Sequence, residues 1–231
     1  MKHIFVGIPS GSGSISHLTM SSLLDLQHHL VGSGLKVTHR IALGADVAIA
    51  RGLLAEAFLK GDADLFFGID DDIGFNLDIF QRLSTFCSDG GDGVVGALYP
   101  QRKANLKQFA QSVRSGLDDA TALLNACLPY GYDPTSPKPF FPTTVMGLGF
   151  YMATREVFER IDASGHVIGR EMVIGGASYV YRGFYDPLVL DDKTYLGEDR
   201  AFLHRAAQAG IQPFGYFGPG ISHTGMMTFS T

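Results

Sequence analysis

Three consecutive carboxylates, Asp70, Asp71 and Asp72, follow directly on the apolar run Leu65-Phe66-Phe67-Gly68-Ile69. A bounded run of that length, rich in Phe and Ile, reads as a buried strand. Like charges crowded at a strand end repel one another, and Asp is depleted in strands. A divalent cation would relieve the repulsion, because hard cations take oxygen ligands and Mg²⁺ shares its shell with substrate phosphates. A solvated acidic turn, helped by Gly74 and Asn76, is the other reading of the same residues.

Three further groups could do chemistry. Gly197-Glu198-Asp199 stands at the expected start of a helix. Acidic residues there are stabilised by free N–H groups and the helix dipole; a carboxylate held rigidly at that point can equally serve as a general base. His223 lies between Gly220 and Gly225 beyond the last expected strand, and imidazole is a ligand for ions such as Mn²⁺. Arg102, Lys103 and Lys107 follow the fourth expected strand. They read as a solvated loop, or as contacts to phosphates or to an anionic acceptor, DNA included.

The elements that must position these residues alternate in period. Strands are expected over residues 4–8, 37–43, 65–69 and 94–98, and helices over 18–30, 47–58 and 77–86. Strand and helix in turn imply βαβ units and a mostly parallel sheet. Ligands of such sheets bind outside the carboxyl ends of the strands. The turn Pro9-Ser10-Gly11-Ser12-Gly13 and the Asp70–Asp72 cluster would share that edge, which favours the metal reading. Residues 99–142, with Pro129, Pro134, Pro137, Pro139 and Pro142, read as an irregular insertion or surface loop. A strand is expected over 143–152, a helix over 155–161, a Gly-rich segment over 165–183, a helix over 198–209 and a strand over 212–217.

With 231 residues the chain fits one large α/β domain, and 45% hydrophobic residues are ample for its core. A net charge of -5 provides no general footprint for nucleic acid, although a local basic strip remains compatible with it. Two cysteines, Cys87 and Cys127, lack metal-ligand spacing and a disulfide framework, which suggests a reducing compartment. The first residues lack the apolar stretch of a signal peptide, and no window is apolar over a bilayer's thickness. A soluble, cytoplasmic protein is expected.

The order of motifs resembles a known group. A strand ending in Asp-Asp-Asp is followed by Gly147-Leu148-Gly149-Phe150 before an Arg155-Glu156-Val157-Phe158 helix. Gly197-Glu198-Asp199 with Arg200 comes next, and then His223. This is similar to the GT-A-type, nucleotide-sugar-dependent glycosyltransferases, in particular the small bacterial and phage members related to the large inverting family 2. The likeness runs from Ile4 to Gly225 and is poor between Asn105 and Pro142. It implies a Rossmann-type α/β/α sandwich, with residues 1–100 as the nucleotide-sugar-binding half and 143–231 as the acceptor and catalytic half.

It also implies roles. Asp70 and Asp72 match the outer carboxylates of the family's Asp-x-Asp motif, Asp72 on a divalent cation and Asp70 on the ribose or the metal shell, with Asp71 at the variable donor-side position. His223 matches the residue that completes the metal site. Asp199 matches the catalytic base, with Glu198 supporting or competing. Pro9 and Ser10 match the nucleobase loop, Arg51 a polar helix position near the donor, and Gly147 and Gly149 the loop beside the transferred sugar. The implied cofactor is Mn²⁺ or Mg²⁺, and the implied donor a UDP-sugar. The implied acceptor is a glycan, a lipid-linked glycan, a protein or a modified DNA base. One departure concerns the lid over the donor: the family often carries a Trp or Arg-rich signature after the Glu-Asp helix, and this chain has no Trp.

Other classes compete. A Rossmann dehydrogenase fingerprint over Gly7–Gly13 fails, since Pro9 intrudes, Ser16 stands at the third small position and no acid closes the second strand. A metal-dependent phosphohydrolase or nuclease could use Asp70, Asp72, Asp199 and His223 to hold two cations. A sugar-nucleotide binder without turnover is the third class.

Overall fold

The computed structural model describes residues 2–44, 46–89, 93–102, 104–127, 139–174 and 176–225. Strand β1 (His3–Ser10) is buried along its whole length. A Gly/Ser turn leads into α1 (His17–Gly32), whose N-cap Ser16 accepts a hydrogen bond from the Thr19 N–H. Next come β2 (Lys36–Leu43), α2 (Val47–Lys60) capped by Asp46, and β3 (Leu65–Ile69), buried throughout. The chain continues through β4 (Ile73–Phe75), α3 (Leu77–Ser88), β5 (Val94–Ala97), α4 (Leu106–Arg114) and α5 (Asp119–Ala126). Strands β6 (Phe140–Pro142) and β7 (Phe150–Thr154) precede α6 (Arg155–Ala163). Two hairpins follow, β8 (Gly169–Ile174) with β9 (Ala177–Arg182), and β10 (Leu188–Val189) with β11 (Tyr195–Leu196). Helix α7 (Glu198–Gln208), β12 (Phe214–Tyr216) and β13 (Ile221–His223) close the described fold.

Seven strands form the central sheet in the order β2-β1-β3-β7-β5-β12-β6. Strands β1, β2, β3, β5 and β12 run one way, while β7 and β6 oppose them. The sheet is therefore mixed and mostly parallel, as the alternation of periods predicts. Side chains alternate across a strand, so the neighbours Phe66 and Phe67 enter different cores. Phe66 packs with Phe5, Phe58, Tyr151, Phe158 and Phe202, on the face covered by α2, α6 and α7. Phe67 packs with Leu26, Phe80 and Phe150, on the face covered by α1 and α3. The result is an α/β/α sandwich.

Two sequence expectations are corrected, and one segment gains a structure. The expected irregular stretch contains α4 and α5, started by Asn105, whose Oδ1 accepts from the Gln108 N–H, and Asp118, whose Oδ1 accepts from Thr121 N–H. The prolines that suggest a loop stand at 129 and beyond, whereas residues 101–128 contain none; Pro129, Pro134 and Pro137 lie outside the described residues. The expected strand over 143–152 starts only at Phe150, because Thr143 to Gly149 turn back to meet Tyr99, whose hydroxyl accepts from the Gly149 N–H at 3.1 Å. The Gly-rich segment over 165–183 holds the β8–β9 hairpin, its strands paired in register from Gly169–Arg182 to Ile174–Ala177. Among the described residues no helix is long and apolar enough to cross a membrane.

Gly68 shows how tightly β3 is packed two residues before the acidic triplet. A Cβ there would run into the ring of Tyr151, which is buried and hydrogen-bonded through its hydroxyl to Tyr185. Gly68→Ala should therefore destabilise the fold by about 1–3 kcal/mol, read as a lower urea midpoint with an unchanged m value.

Candidate active site

The carboxyl ends of β1 and β3 bring Ser10 and the Asp70–Asp72 triplet to one sheet edge. A cleft of about 330 Å³ opens there, running from Pro9–Ser12 past Gly44 and Val47 to Asp70–Asp72 and Arg102. The three carboxylates do not share one partner. Asp71 accepts from the Ser10 hydroxyl at 2.5 Å, and Ser10 Oγ in turn accepts from the Gly13 N–H at 3.0 Å. The Asp71 carbonyl accepts from Ser16 N–H at 2.8 Å. These bonds tie the β1 turn to the triplet.

Asp70 turns inward to Arg51 on α2, whose Nη2 donates to Asp70 Oδ1 at 3.0 Å. The Nη1 of the same guanidinium donates to Asp199 Oδ1 and lies 3.6 Å from Glu198 Oε1. Arg51 is buried, so its charge is set among three carboxylates with little water. Burial works against that charge, but Asp70 and Asp199 outweigh it and hold the guanidinium pKa above its ordinary value. Burial also raises the Asp70 carboxyl despite Arg51. Glu198 is raised too, first by burial and then by the negative charge of Asp199. Helix α7 starts at Gly197 without a side-chain cap. Asp199 stands in the first turn of α7 and pairs with Arg51, so its place at the helix start is not its sole interaction.

Asp72 has different surroundings. Its Oδ2 accepts from Arg102 Nη1 at 2.8 Å, and its Oδ1 lies 3.4 Å from His223 Nε2. Burial raises the Asp72 carboxyl, but the His223 bond and charge and the Arg102 charge together bring it below its ordinary value. His223 reaches this point because β13 pairs antiparallel with β4, setting His223 opposite Ile73. Its Nδ1 is 2.8 Å from the Pro100 carbonyl. A carbonyl only accepts, so Nδ1 carries a hydrogen and Nε2 faces the carboxylate. In the neutral ring two lone pairs then face each other, an arrangement that a proton or a cation between them would satisfy. A ring N–H donated to a backbone carbonyl is also how metal-bound imidazoles are oriented. The donor set, one carboxylate and one imidazole with the remaining positions open, fits a divalent cation that binds phosphate oxygens.

Of the residues singled out from sequence, the fold joins Asp70 with Asp199 and Glu198 through Arg51, Asp72 with His223 and Arg102, and Ser10 with Asp71. It does not join Asp70 to His223. Among the described residues no three His, Cys, Asp or Glu side chains form a group able to hold a metal. Gly147 and Gly149 lie against Tyr99, and a Cβ on Gly149 would stand 2.9 Å from Asp70 Oδ2. The Gly149 carbonyl accepts from Asp70 N–H at 2.9 Å. Tyr99 itself escaped the sequence reading. Its ring meets His223 edge-on, with centroids 5.1 Å apart, and burial pushes its hydroxyl pKa up. Its position one residue before Pro100 was the available signal. Lys103 lies outside the described residues.

No protein-family model and no curated protein sequence matches the chain. Solved structures do. The crystal structure of A197 from STIV aligns with a TM-score of 0.50 and 18% identity over 94% of this chain and 82% of that one. GalNAc-T7 with UDP, GalNAc and Mn²⁺ aligns at 0.50 and 11% over 96% of this chain and 44% of that one. The catalytic domain of Drosophila beta1,4galactosyltransferase 7 complexed with xylobiose aligns at 0.47 and 13% over 98% and 72%. The chain has the GT-A fold.

Removing Arg51 would leave Asp70 and Asp199 facing each other without their cation. Arg51→Ala should cost about 3 kcal/mol, the low end for a broken buried pair, because both carboxylates keep 28% exposure. Chemical denaturation measures it. Asp72 has a folded pKa below its unfolded one, so its contribution is present above the unfolded value and is lost as pH falls through the folded value. Asp72→Asn should flatten the acid limb of a stability–pH curve while leaving its alkaline limb unchanged.

Proposed function

We propose that the protein is a metal-dependent glycosyltransferase. It moves a sugar from a nucleoside-diphosphate donor, a UDP-sugar, to an acceptor hydroxyl with inversion. The GT-A fold supports this class, and UDP and Mn²⁺ in the GalNAc-T7 structure support the donor and the ion. The observation that carries the reading is the pairing of Asp72 Oδ1 with His223 Nε2, 3.4 Å apart, with Asp72 lining the cleft.

In this reading Pro9 and Ser10 border the nucleobase, and Asp71 keeps their turn in place. Asp70, held by Arg51, faces the ribose side. Asp72 and His223 hold the cation, Mn²⁺ or Mg²⁺. A cation held there would supply Lewis-acid stabilisation to the departing diphosphate. Arg102 is more than half exposed while it neutralises Asp72, so it is free to turn to the phosphates. Gly147 and Gly149 leave room for the transferred sugar. Asp199 takes the acceptor proton as the hydroxyl attacks, its carboxylate positioned by Arg51, and Glu198 supports it. Attack opposite the departing diphosphate inverts the anomeric centre. Arg51 between Asp70 and Asp199 weighs against a two-cation phosphohydrolase or nuclease, because a guanidinium already fills the gap between those carboxylates. The acceptor in this reading is a glycan, a lipid-linked glycan, a protein or a modified DNA base.

A thermal-shift screen of nucleotide sugars with and without Mn²⁺ tests the donor: UDP-sugars should raise the melting temperature only with metal, and Asp72→Ala should abolish that shift. A screen without any metal-dependent shift rejects the reading. Asp199→Asn should keep donor binding and lower turnover by about 10²–10⁴-fold. Near-native turnover in that variant removes Asp199 as the base.

A further inference from the structure

We propose that a second cleft, between the C-terminal half of α7 and the β10–β11 hairpin, binds an anionic sugar, one that carries a phosphate or carboxylate group. The cleft has a volume of about 520 Å³ and shares no lining residue with the candidate active site. That volume falls in the usual range for small-molecule sites.

Its floor is Arg205, 3% exposed. The guanidinium donates only to carbonyls: Nε to His166 O at 3.3 Å, and Nη1 to Phe184 O at 3.0 Å and Asp186 O at 2.7 Å. Nη2 has no hydrogen-bond partner among the described residues. The carboxylate of Asp186 is engaged elsewhere, accepting from Arg170 Nε at 2.9 Å. A buried charge is expensive unless paired, and here no carboxylate closes on it. Burial accordingly brings Arg205 below its ordinary pKa, with Arg170 opposing its charge and Asp186 favouring it. The other buried arginine among the described residues, Arg51, behaves differently, holding Asp70 and Asp199.

The other walls define the rest of the ligand. His166, His204 and Gln208 add polar groups beside Arg205, while Asp191 and Asp192 line the hairpin side. Asp192 Oδ1 accepts from Thr194 N–H at 2.9 Å, which holds that carboxylate on the hairpin beside the cleft. Inorganic phosphate would pair with the arginine but meet the two acids. A neutral sugar would donate hydroxyls to the acids but leave the arginine unpaired. A sugar bearing an oxyanion satisfies both, and Leu188 and Leu190 provide apolar surface for its ring. This inference does not depend on the glycosyltransferase reading.

Calorimetric titration with glucose 6-phosphate, glucuronate, glucose and inorganic phosphate, each in the presence of excess UDP and Mn²⁺, tests the site. At least one acidic sugar should bind about tenfold or more tightly than glucose and phosphate, a charge-assisted contact's worth of discrimination. Binding by one acid alone identifies which oxyanion the site takes. The double variant His204→Ala/Gln208→Ala, which leaves the Arg205–carbonyl bonds in place, should weaken binding at least tenfold with an unchanged melting temperature. Arg205→Lys should weaken it further; if that variant fails to fold, the double variant decides. Absence of binding by both acids, equal binding of glucose, or full affinity in the double variant overturns the proposal.

Discussion

The site depends on one buried positive charge. Arg51 projects from α2 beneath the sheet edge and holds Asp70 from the end of β3 and Asp199 from the start of α7. Its Nε is buried without a hydrogen-bond partner, so the attraction to the carboxylates has to offset a real desolvation cost. The consecutive elements α2 and β3 are thereby fixed to α7, whose Asp199 is 148 positions from Arg51. Without that cation the same elements would present like charges across a poorly hydrated gap. The packing around it is stiff: Tyr151 and Tyr185 join hydroxyls just behind it, and Tyr185 stacks on Phe202 of α7.

The repulsion built into the Asp70–Asp72 triplet is resolved by dispersal. Each carboxylate is sent to a separate partner: Asp70 to Arg51, Asp71 to Ser10, Asp72 to Arg102 and His223. This has a functional consequence. Asp70 and Asp71 are committed to structure and orientation, whereas Asp72 shares its charge with an exposed, movable arginine and an imidazole already oriented by Pro100. A ligand that competes for Arg102 changes the surroundings of Asp72 directly, so phosphate binding and cation binding at this point are coupled by geometry.

The same physics explains why the two clefts differ. In the first, acids outnumber the cation that neutralises them, and an added cation is welcome. In the second, Arg205 is held by carbonyls rather than by a carboxylate, with Asp191 and Asp192 on the opposite wall, the arrangement behind the proposed anionic sugar. Helix α7 contributes Glu198 and Asp199 to the Arg51 cluster at its start and His204, Arg205 and Gln208 to the second cleft.

Local signals determined much of this from sequence. The alternation of apolar runs with capped helical stretches is enough to specify α1, α2, α3, β1, β2, β3 and β5, and the carboxyl-edge rule puts Ser10 with Asp70–Asp72. Helices α4 and α5 were missed because the prolines from Pro129 onward suggest a loop for the whole stretch, although residues 101–128 contain none. The β4–β13 pairing was missed because three-residue strands carry no periodicity, and it is this pairing that delivers His223 to Asp72. Which carboxylate faces which partner lay beyond sequence altogether. Residue types set which charges exist, but ion pairing depends on distances of a few ångströms between segments up to 148 positions apart, and those distances arise only when β3, α2 and α7 pack on a common core.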